Sequence, residues 1–402
     1  MVSGLLFRKK AGFHLKRNQT LFNRRTTRIV LFLTGVFLYW ASLYLYVPTL
    51  PVYVETKIGD LAQVGAVLAM YGLCQAVVRL PVGITSDWIG RRKPFILVGF
   101  LLSGLGALLL GSTGSFQGLA AGRGVTGLAA ATWVPLVVVF SSLFKPEDAV
   151  RATAILTICS SLSRMLSTGL TGALNDLGGY KLPFYLAAGA ALLAFIVSIP
   201  GSETSNKTKE FSKTEILAVI RRRDVLMPSL LSAVTQYVSW STTFGFLPIQ
   251  AERLGANESQ ISILTSLSIA LLLVGSLLLT LLLKHINAIR LLYTSFFLSG
   301  AGVLLLSLAE SLPLIFASQV CLGLAFGFSG PILMGKSIEK VENGLRSTAM
   351  GLHQAVYATG MFAGPWISGI LAKAIGIQPM FGITAIASLA LGIVGLRFID
   401  QH

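Results

Sequence analysis

LAQVGAVLAMYGLCQAVVRLPVGITSDWIGRRKPFILVGFLLSGLGALLLGS, residues 61–112, decides what kind of molecule this is. It holds two apolar stretches, 61–82 and 94–112, joined by a short polar and basic segment. Each stretch is close to the roughly 20 residues a helix needs to cross a hydrocarbon core. Working outward, the same alternation fills the chain. Spanning helices are expected at 29–50, 61–82, 94–112, 116–140, 152–173 and 183–200, then at 226–250, 259–283, 289–309, 313–335, 347–371 and 377–397. The chain has 402 residues, 54% hydrophobic and 12% charged. That is half the charge of a soluble domain, which carries roughly 25%. An all-α polytopic membrane protein with twelve transmembrane helices follows.

The net charge of +16 does not point to nucleic acid, because the basic residues lie between apolar stretches and not along one polar face. They report topology instead. With the N-terminus inside, 25 of the 32 Lys and Arg residues fall on cytoplasmic segments and only Lys57, Lys181, Arg253 and Lys373 on the other side. Both termini are therefore expected in the cytoplasm. Residues 1–28 read as a basic tail facing anionic lipid heads, since no short apolar core with a cleavage site follows the charges. Cys74, Cys159 and Cys321 all lie in apolar stretches, so no disulfide framework is implied.

Residues 201–225, GSETSNKTKEFSKTEILAVIRRRDV, form the one long polar connection. Within it Ser212 and Glu215 have capping-box spacing ahead of a short amphipathic helix. This linker separates two six-helix halves, 29–200 and 226–402, and the halves resemble each other. Leu50, Pro51 and Glu55 recur as Leu247, Pro248 and Glu252; Gly127, Leu128, Ala129 and Pro135 as Gly323, Leu324, Ala325 and Pro331; Arg151, Thr153, Ala154 and Gly169 as Arg346, Thr348, Ala349 and Gly364. The offsets drift in order, 197, 196 and 195. An even number of helices per half makes the repeat parallel, about an axis along the membrane normal. Rocking one such bundle against the other exposes their interface to alternate sides.

Gly83-Ile-Thr-Ser-Asp87-Trp-Ile-Gly90-Arg91-Arg92-Lys93 resembles the signature loop between helices two and three of the major facilitator superfamily, with Trp88 where a basic residue is usual. Arg123 with Gly127 resembles the fourth-helix motif, and Pro48-Thr-Leu-Pro51 the first-helix motif of twelve-helix drug–proton antiporters. The resemblance implies a secondary transporter working by alternating access, and a latch role for Gly83, Asp87, Gly90, Arg91 and Arg92 at the inner ends of the bundles. Topology alone would also recruit the arginines. It implies an ion gradient, a proton gradient first, as the energy source. The fifth-helix Gly-Pro of the antiporters is replaced by Gly169–Leu170 and survives as Gly364–Pro365, which weakens antiport. Helices 1, 4, 7 and 10 are expected to line the path, and helices 2 and 11 to meet through Gly65, Ala69, Gly72 and Ala76 on one side and Gly360, Gly364 and Ser368 on the other.

Charges within the membrane mark function. Arg79 is placed near a helix end and expected to snorkel. Arg123 and Arg164 are deeper, and no Asp or Glu lies near the middle of any expected helix. They are candidates to meet an anionic or strongly dipolar substrate; the alternative pairs Arg123 with backbone carbonyls and Arg164 with an outer carboxylate. His353 is the intramembrane side chain that titrates near neutrality, hence a coupling candidate or a satisfied structural group. Trp40, Tyr44, Trp133, Gln236, Tyr237 and Trp240 would give the path aromatic walls suited to an amphipathic solute, with Gln319 at the position matching Arg123. Aromatic rings also anchor helices at headgroup level.

No HExxH, GxSxG or Walker pattern is present, so neither an enzyme nor an ATP-driven pump is expected, and no metal or cofactor. The partners expected are a small-molecule substrate, an ion gradient and the bilayer of a bacterial cytoplasmic (plasma) membrane. Two transport readings stand, efflux of amphipathic compounds and a permease or exchanger for a small organic anion. A transporter-like sensor without flux is a third.

Overall fold

The computed structural model describes residues 26–145, 148–200, 218–219, 221–342 and 345–400. The basic tail up to residue 25 and most of the 201–225 linker, with its Ser212–Glu215 capping box, lie outside the described residues.

Among the described residues the chain makes twelve membrane-length segments, numbered here as spans. The first is Thr26–Tyr44 continued by Leu50–Ile58; spans two to six are Leu61–Ile89, Lys93–Ser112, Phe116–Ala131 with Trp133–Ser141, Ala149–Gly178 and Lys181–Ser198. The seventh is Arg223–Ser241 followed by a π-helical turn, Thr242–Phe246, and Leu247–Arg253. Spans eight to twelve are Glu258–Leu282, Ala288–Ser307, Leu312–Glu339, Arg346–Ile375 and Ile377–Asp400. Ten of these are long and apolar enough to cross a membrane unaided; the fifth and the seventh are the exceptions.

Their polarity has a structural use. Cys159, Ser163, Thr171 and Asn175 of span five lie beside Leu33, Phe37, Leu45 and Thr49 of span one, a constant separation of 126 residues that makes the two spans parallel neighbours. Ser163 Oγ donates to the Phe37 carbonyl at 2.5 Å and Thr171 Oγ1 to the Leu45 carbonyl at 2.8 Å. The second bond falls where the first span breaks: Pro48 has no N–H, so the ladder of helix bonds is interrupted there. The C-terminal half breaks its seventh span at the equivalent place, one turn before Leu247–Pro248. In the fourth span Pro135 interrupts the helix at Thr132, and the Ala129 carbonyl accepts from Thr132 Oγ1 and from Tyr39 Oη.

Several boundaries differ from the sequence reading. The second span runs to Ile89, so Gly83 and Asp87 are helical and the turn is reduced to Gly90–Arg92. Gly90 supplies the left-handed backbone there, with φ +70°. Asp176, expected beyond the fifth helix, is inside it.

Spans two and eleven pack most extensively across the halves. Added Cβ atoms at Gly65 and Gly72 would lie 2.3 Å from the Pro365 carbonyl and 2.4 Å from Met361 backbone. The partners in span eleven are thus Met361, Pro365 and Gly369. The expected Gly360 and Gly364 face instead packs on Ala233 and Tyr237 of span seven.

Polar ties between the halves gather on the face opposite the termini. Arg253 pairs with Glu55 at 2.7 Å and Lys373 with Asp60. Glu258 accepts from Tyr180 and, at 3.0 Å, from Asn175, and Ser259 donates to Asp176 at 3.2 Å. Burial, reinforced by the Glu258 carboxylate, pushes the Tyr180 phenol up, so it remains a donor.

Candidate functional site

At mid-depth six aromatic rings form a chain through both halves: Trp133, Trp40, Tyr44, Phe244, Trp240 and Tyr71 in that order. Successive ring centroids are 5.3, 5.6, 6.2, 5.0 and 4.9 Å apart, distances at which edge and offset contacts are favourable. The chain crosses from one half to the other twice, at Tyr44–Phe244 and at Tyr71–Trp240. Helical spacing places these rings: Trp40 and Tyr44 are four residues apart in span one, Trp240 and Phe244 in span seven. The π-helical turn carries Phe244, and it needs Gly245, whose added Cβ would lie 2.4 Å from the Trp240 carbonyl.

Two guanidinium groups rest on this chain, each over a pair of rings. Arg123 Cζ is 4.2 Å from the Tyr71 centroid and 5.6 Å from that of Trp240. Arg164 Cζ is 5.0 Å from Trp40 and 5.6 Å from Tyr44. Ring faces attract a desolvated cation by about 2 kcal/mol, which explains how Arg123, only 1% exposed, is tolerated at this depth. Its Nε has no acceptor, and the Trp40 Nε1 is likewise buried without one. Arg164 is half-buried and donates to the Ser160 carbonyl at 3.3 Å and to Ser161 Oγ at 3.2 Å. Neither arginine pairs with a carboxylate among the described residues. The expected alternatives, neighbouring carbonyls for Arg123 and an outer carboxylate for Arg164, are not what the structure contains.

The other candidates divide. Trp40, Tyr44, Trp133 and Trp240 belong to the ring chain. Tyr237 does not: it is held near Ser368 Oγ at 3.4 Å, and the half-buried Gln236 has no recorded bond to the rings. Gln319 is fully buried and accepts from Thr243 Oγ1 at 3.0 Å, a contact inside the C-terminal half. His353 lies between Ser229 Oγ and Ser232 Oγ, at 3.1 and 3.4 Å, with its ring edge-on to Tyr357. In the signature segment Arg92 is buried and caps the third span, Arg91 is exposed, and the Asp87 side chain is outside the described set.

Three participants escaped the sequence reading. Tyr71 sits on span two, which was read only for packing. Phe244 hides in the polar TTFGF turn, though it lies one helical turn from Trp240. Arg79 was expected to snorkel, yet it is 4% exposed and donates to Gln75 Oε1 at 2.6 Å and to Tyr357 Oη of the other half. Among the described residues no group of three or more His, Cys, Asp or Glu side chains could hold a metal ion.

A membrane-embedded pair of six-span bundles, with aromatic rings from both halves meeting at mid-depth beside cations of the N-terminal half, is the architecture of a solute carrier. A sequence profile of the Major Facilitator Superfamily matches residues 32–249 and 229–402, and the chain belongs to that family of transporters. It is 24% identical over 347 residues to an uncharacterized MFS-type transporter of Methanocaldococcus jannaschii, covering 84% of this chain and 89% of the other. It is also 24% identical to Multidrug resistance protein 1 of Bacillus subtilis, covering 82% and 85%. Among solved structures it shares its fold with a bacterial homolog to the human lysosomal transporter Spinster, inward-facing and unoccupied, at TM-score 0.77 and 16% identity, covering 93% and 97%.

Proposed function

We propose that this transporter exports amphipathic small molecules by alternating access, with both termini in the cytoplasm of a bacterial cell, at the site formed by the ring chain. The observation that carries the reading is that the rings come from both halves and meet at mid-depth, so moving the halves apart on either side bares the same aromatic surface. Aromatic walls with a few placed polar groups suit solutes that are apolar over most of their surface. The Bacillus subtilis relative, a multidrug resistance protein by name, supports the outward direction. Polar ties concentrated opposite the termini are what an inward-facing state requires, and the Spinster homolog of like fold was solved in that state. A proton gradient is the energy source this reading implies, and His353, held between Ser229 and Ser232, is its coupling candidate.

A second reading, uptake or exchange of a small organic anion, is favoured by one specific feature. Arg123 and Arg164 bring two positive charges to the site with no carboxylate paired to them among the described residues, and Arg123 Nε–H lacks an acceptor there. Flux of ethidium and of salicylate into and out of proteoliposomes, under imposed proton, sodium and voltage gradients, tests both. Export of ethidium driven by a proton gradient supports the first reading, and salicylate flux with no ethidium flux supports the second. Binding without movement of either would overturn both and leave a sensor.

A further inference from the structure

We propose that Arg79 and Gln75 of span two, with Tyr357 of span eleven, form a second anion site that takes a carboxylate or phosphate group between the halves. The site lies on the terminal side of the ring chain and deepens the reading that an anionic group enters this transporter, on which it rests.

Arg79 Nη2 donates to Gln75 Oε1, and Nη1 donates to the Tyr357 hydroxyl across the interface, with the guanidinium 5.3 Å from the Tyr357 ring centroid. Both span-two side chains are more than nine-tenths buried, at 4% and 2% exposure. No carboxylate pairs with Arg79 among the described residues. Its Nε–H and the Nε2–H of Gln75 are both buried without an acceptor. These are two unused donors on side chains already bonded to each other. The Tyr357 oxygen accepts from Arg79, which leaves its own proton as a third donor. A buried full charge with neutral partners and a surplus of N–H groups has the composition of an anion site.

Its position gives it a part in transport. Tyr71, Gln75 and Arg79 fall at i, i+4 and i+8 on one face of span two, and Tyr71 carries Arg123. Arg79 is therefore about 12 Å further along the helix than Tyr71, toward the terminal face. An anionic group leaving Arg123 in that direction meets Gln75 and then Arg79. Because Tyr357 belongs to the other half, the site is complete only while spans two and eleven are in register, so occupancy is tied to the conformation.

The test uses the full chain in detergent, titrated with salicylate and with inorganic phosphate. Thermal stabilisation reports binding anywhere, and tryptophan fluorescence reports the ring chain, which contains three of the five tryptophans. Gln75→Glu keeps the bond to Arg79 and the side-chain shape but places a carboxylate where the anion would lie. We expect it to weaken anion-dependent thermal stabilisation at least tenfold while salicylate still perturbs the tryptophans. Arg79→Lys should weaken stabilisation similarly, and Arg123→Gln should abolish the fluorescence change instead. Phosphate acting without salicylate, or the reverse, identifies which anionic group the site accepts. If Gln75→Glu and Arg79→Lys both titrate as the parent while Arg123→Gln does not bind, the second site is wrong and the anionic reading stands. If neither anion affects the parent protein, both are wrong.

Discussion

The two halves repeat one scaffold but do not repeat its intramembrane cations. At the offsets that align them, the buried or half-buried cations Arg79, Arg123 and Arg164 of the N-terminal half correspond to Ser276, Gln319 and Thr359 of the C-terminal half. Shared features are mechanical: the span breaks before Leu50–Pro51 and Leu247–Pro248, and the caps Asp60 and Asn257, whose side chains accept from backbone N–H groups three residues on. Differences lie where the halves face each other. One half supplies guanidinium groups, the other supplies Trp240, Phe244 and Tyr357, whose rings and hydroxyl receive two of them. Duplication repeats the span breaks, and divergence across the interface leaves the cations in one half against rings of the other.

Making the halves alike is the most damaging way to break this comparison. Gln319→Arg would bury a cation where Thr243 is the hydrogen-bond partner and Ser268 stands at the position matching Tyr71. An arginine at a helix centre costs about 2.5–3.5 kcal/mol on insertion scales. We expect a clear fall in folded yield and melting temperature, measured by size-exclusion fluorescence on heating. An unchanged melting temperature would show that the C-terminal half tolerates charge as the N-terminal half does. The reverse change, Arg123→Gln, removes the charge that on the anion reading would bond the solute, and a hydrogen bond to a charged group contributes about 2 kcal/mol. Anionic probe binding should fall roughly 30-fold, with folding little altered.

The glycine contacts sharpen the distinction between motion across the interface and packing within a half. Gly65→Ala puts a methyl group 2.3 Å from the Pro365 carbonyl in the other half, and Gly360→Ala puts one 2.0 Å from the Ala233 carbonyl in its own half. Overpacking of this kind costs about 1–3 kcal/mol. Both variants should melt earlier, but Gly65→Ala should lose flux out of proportion to its stability. Equal ratios of flux to stability in the two would remove span two from the gating contact.

Much of this was legible in the sequence because hydrophobic length and repeat spacing act over whole helices. Twelve spans, the repeated Leu-Pro pairs and the placing of Arg123 and Arg164 within helices needed no coordinates. Arg79 was misread for a definite reason. Taking the second span to end at residue 82 put Arg79 within a turn of the headgroups. The helix continues to Ile89, and the Arg79 guanidinium turns into the bundle onto Gln75 and Tyr357 instead of toward the helix end. Polar continuation past an apolar window carries no hydropathy signal. The fifth span overran its expected end similarly, because Asn175 is buried against Thr49 of span one and the exposed Asp176 still lies within the helix, accepting from Ser259. Phe244 could have been found by asking which aromatic residues lie one turn from others, whereas Tyr71 has no aromatic neighbour at that spacing and gives no such signal.

The smallest effect concerns Asp60, and it separates cap from tie. A hydrogen bond from Lys373 of the other half, with further bonds from the Gln63 and Ala62 N–H groups, holds the Asp60 carboxyl below the usual aspartate range. A lowered value means the carboxylate's contribution is present above the unfolded-state value and is lost as pH falls through the folded one. The Asp60–Lys373 tie should therefore hold at neutral pH and loosen only in acid, below the ordinary aspartate range. Exposed pairs of this type contribute little, so the expected readout is conformational. Spin labels across the face opposite the termini should report a modest widening as acid is added. Asp60→Asn gives this half the cap its counterpart already has in Asn257, which satisfies the helix end without a charge. In that variant the widening should be present at neutral pH and no longer respond to acid at this pair, while the melting temperature barely moves. A variant that closes as tightly as the parent at every pH would mean that Glu55–Arg253 and the Glu258 cluster hold this face by themselves.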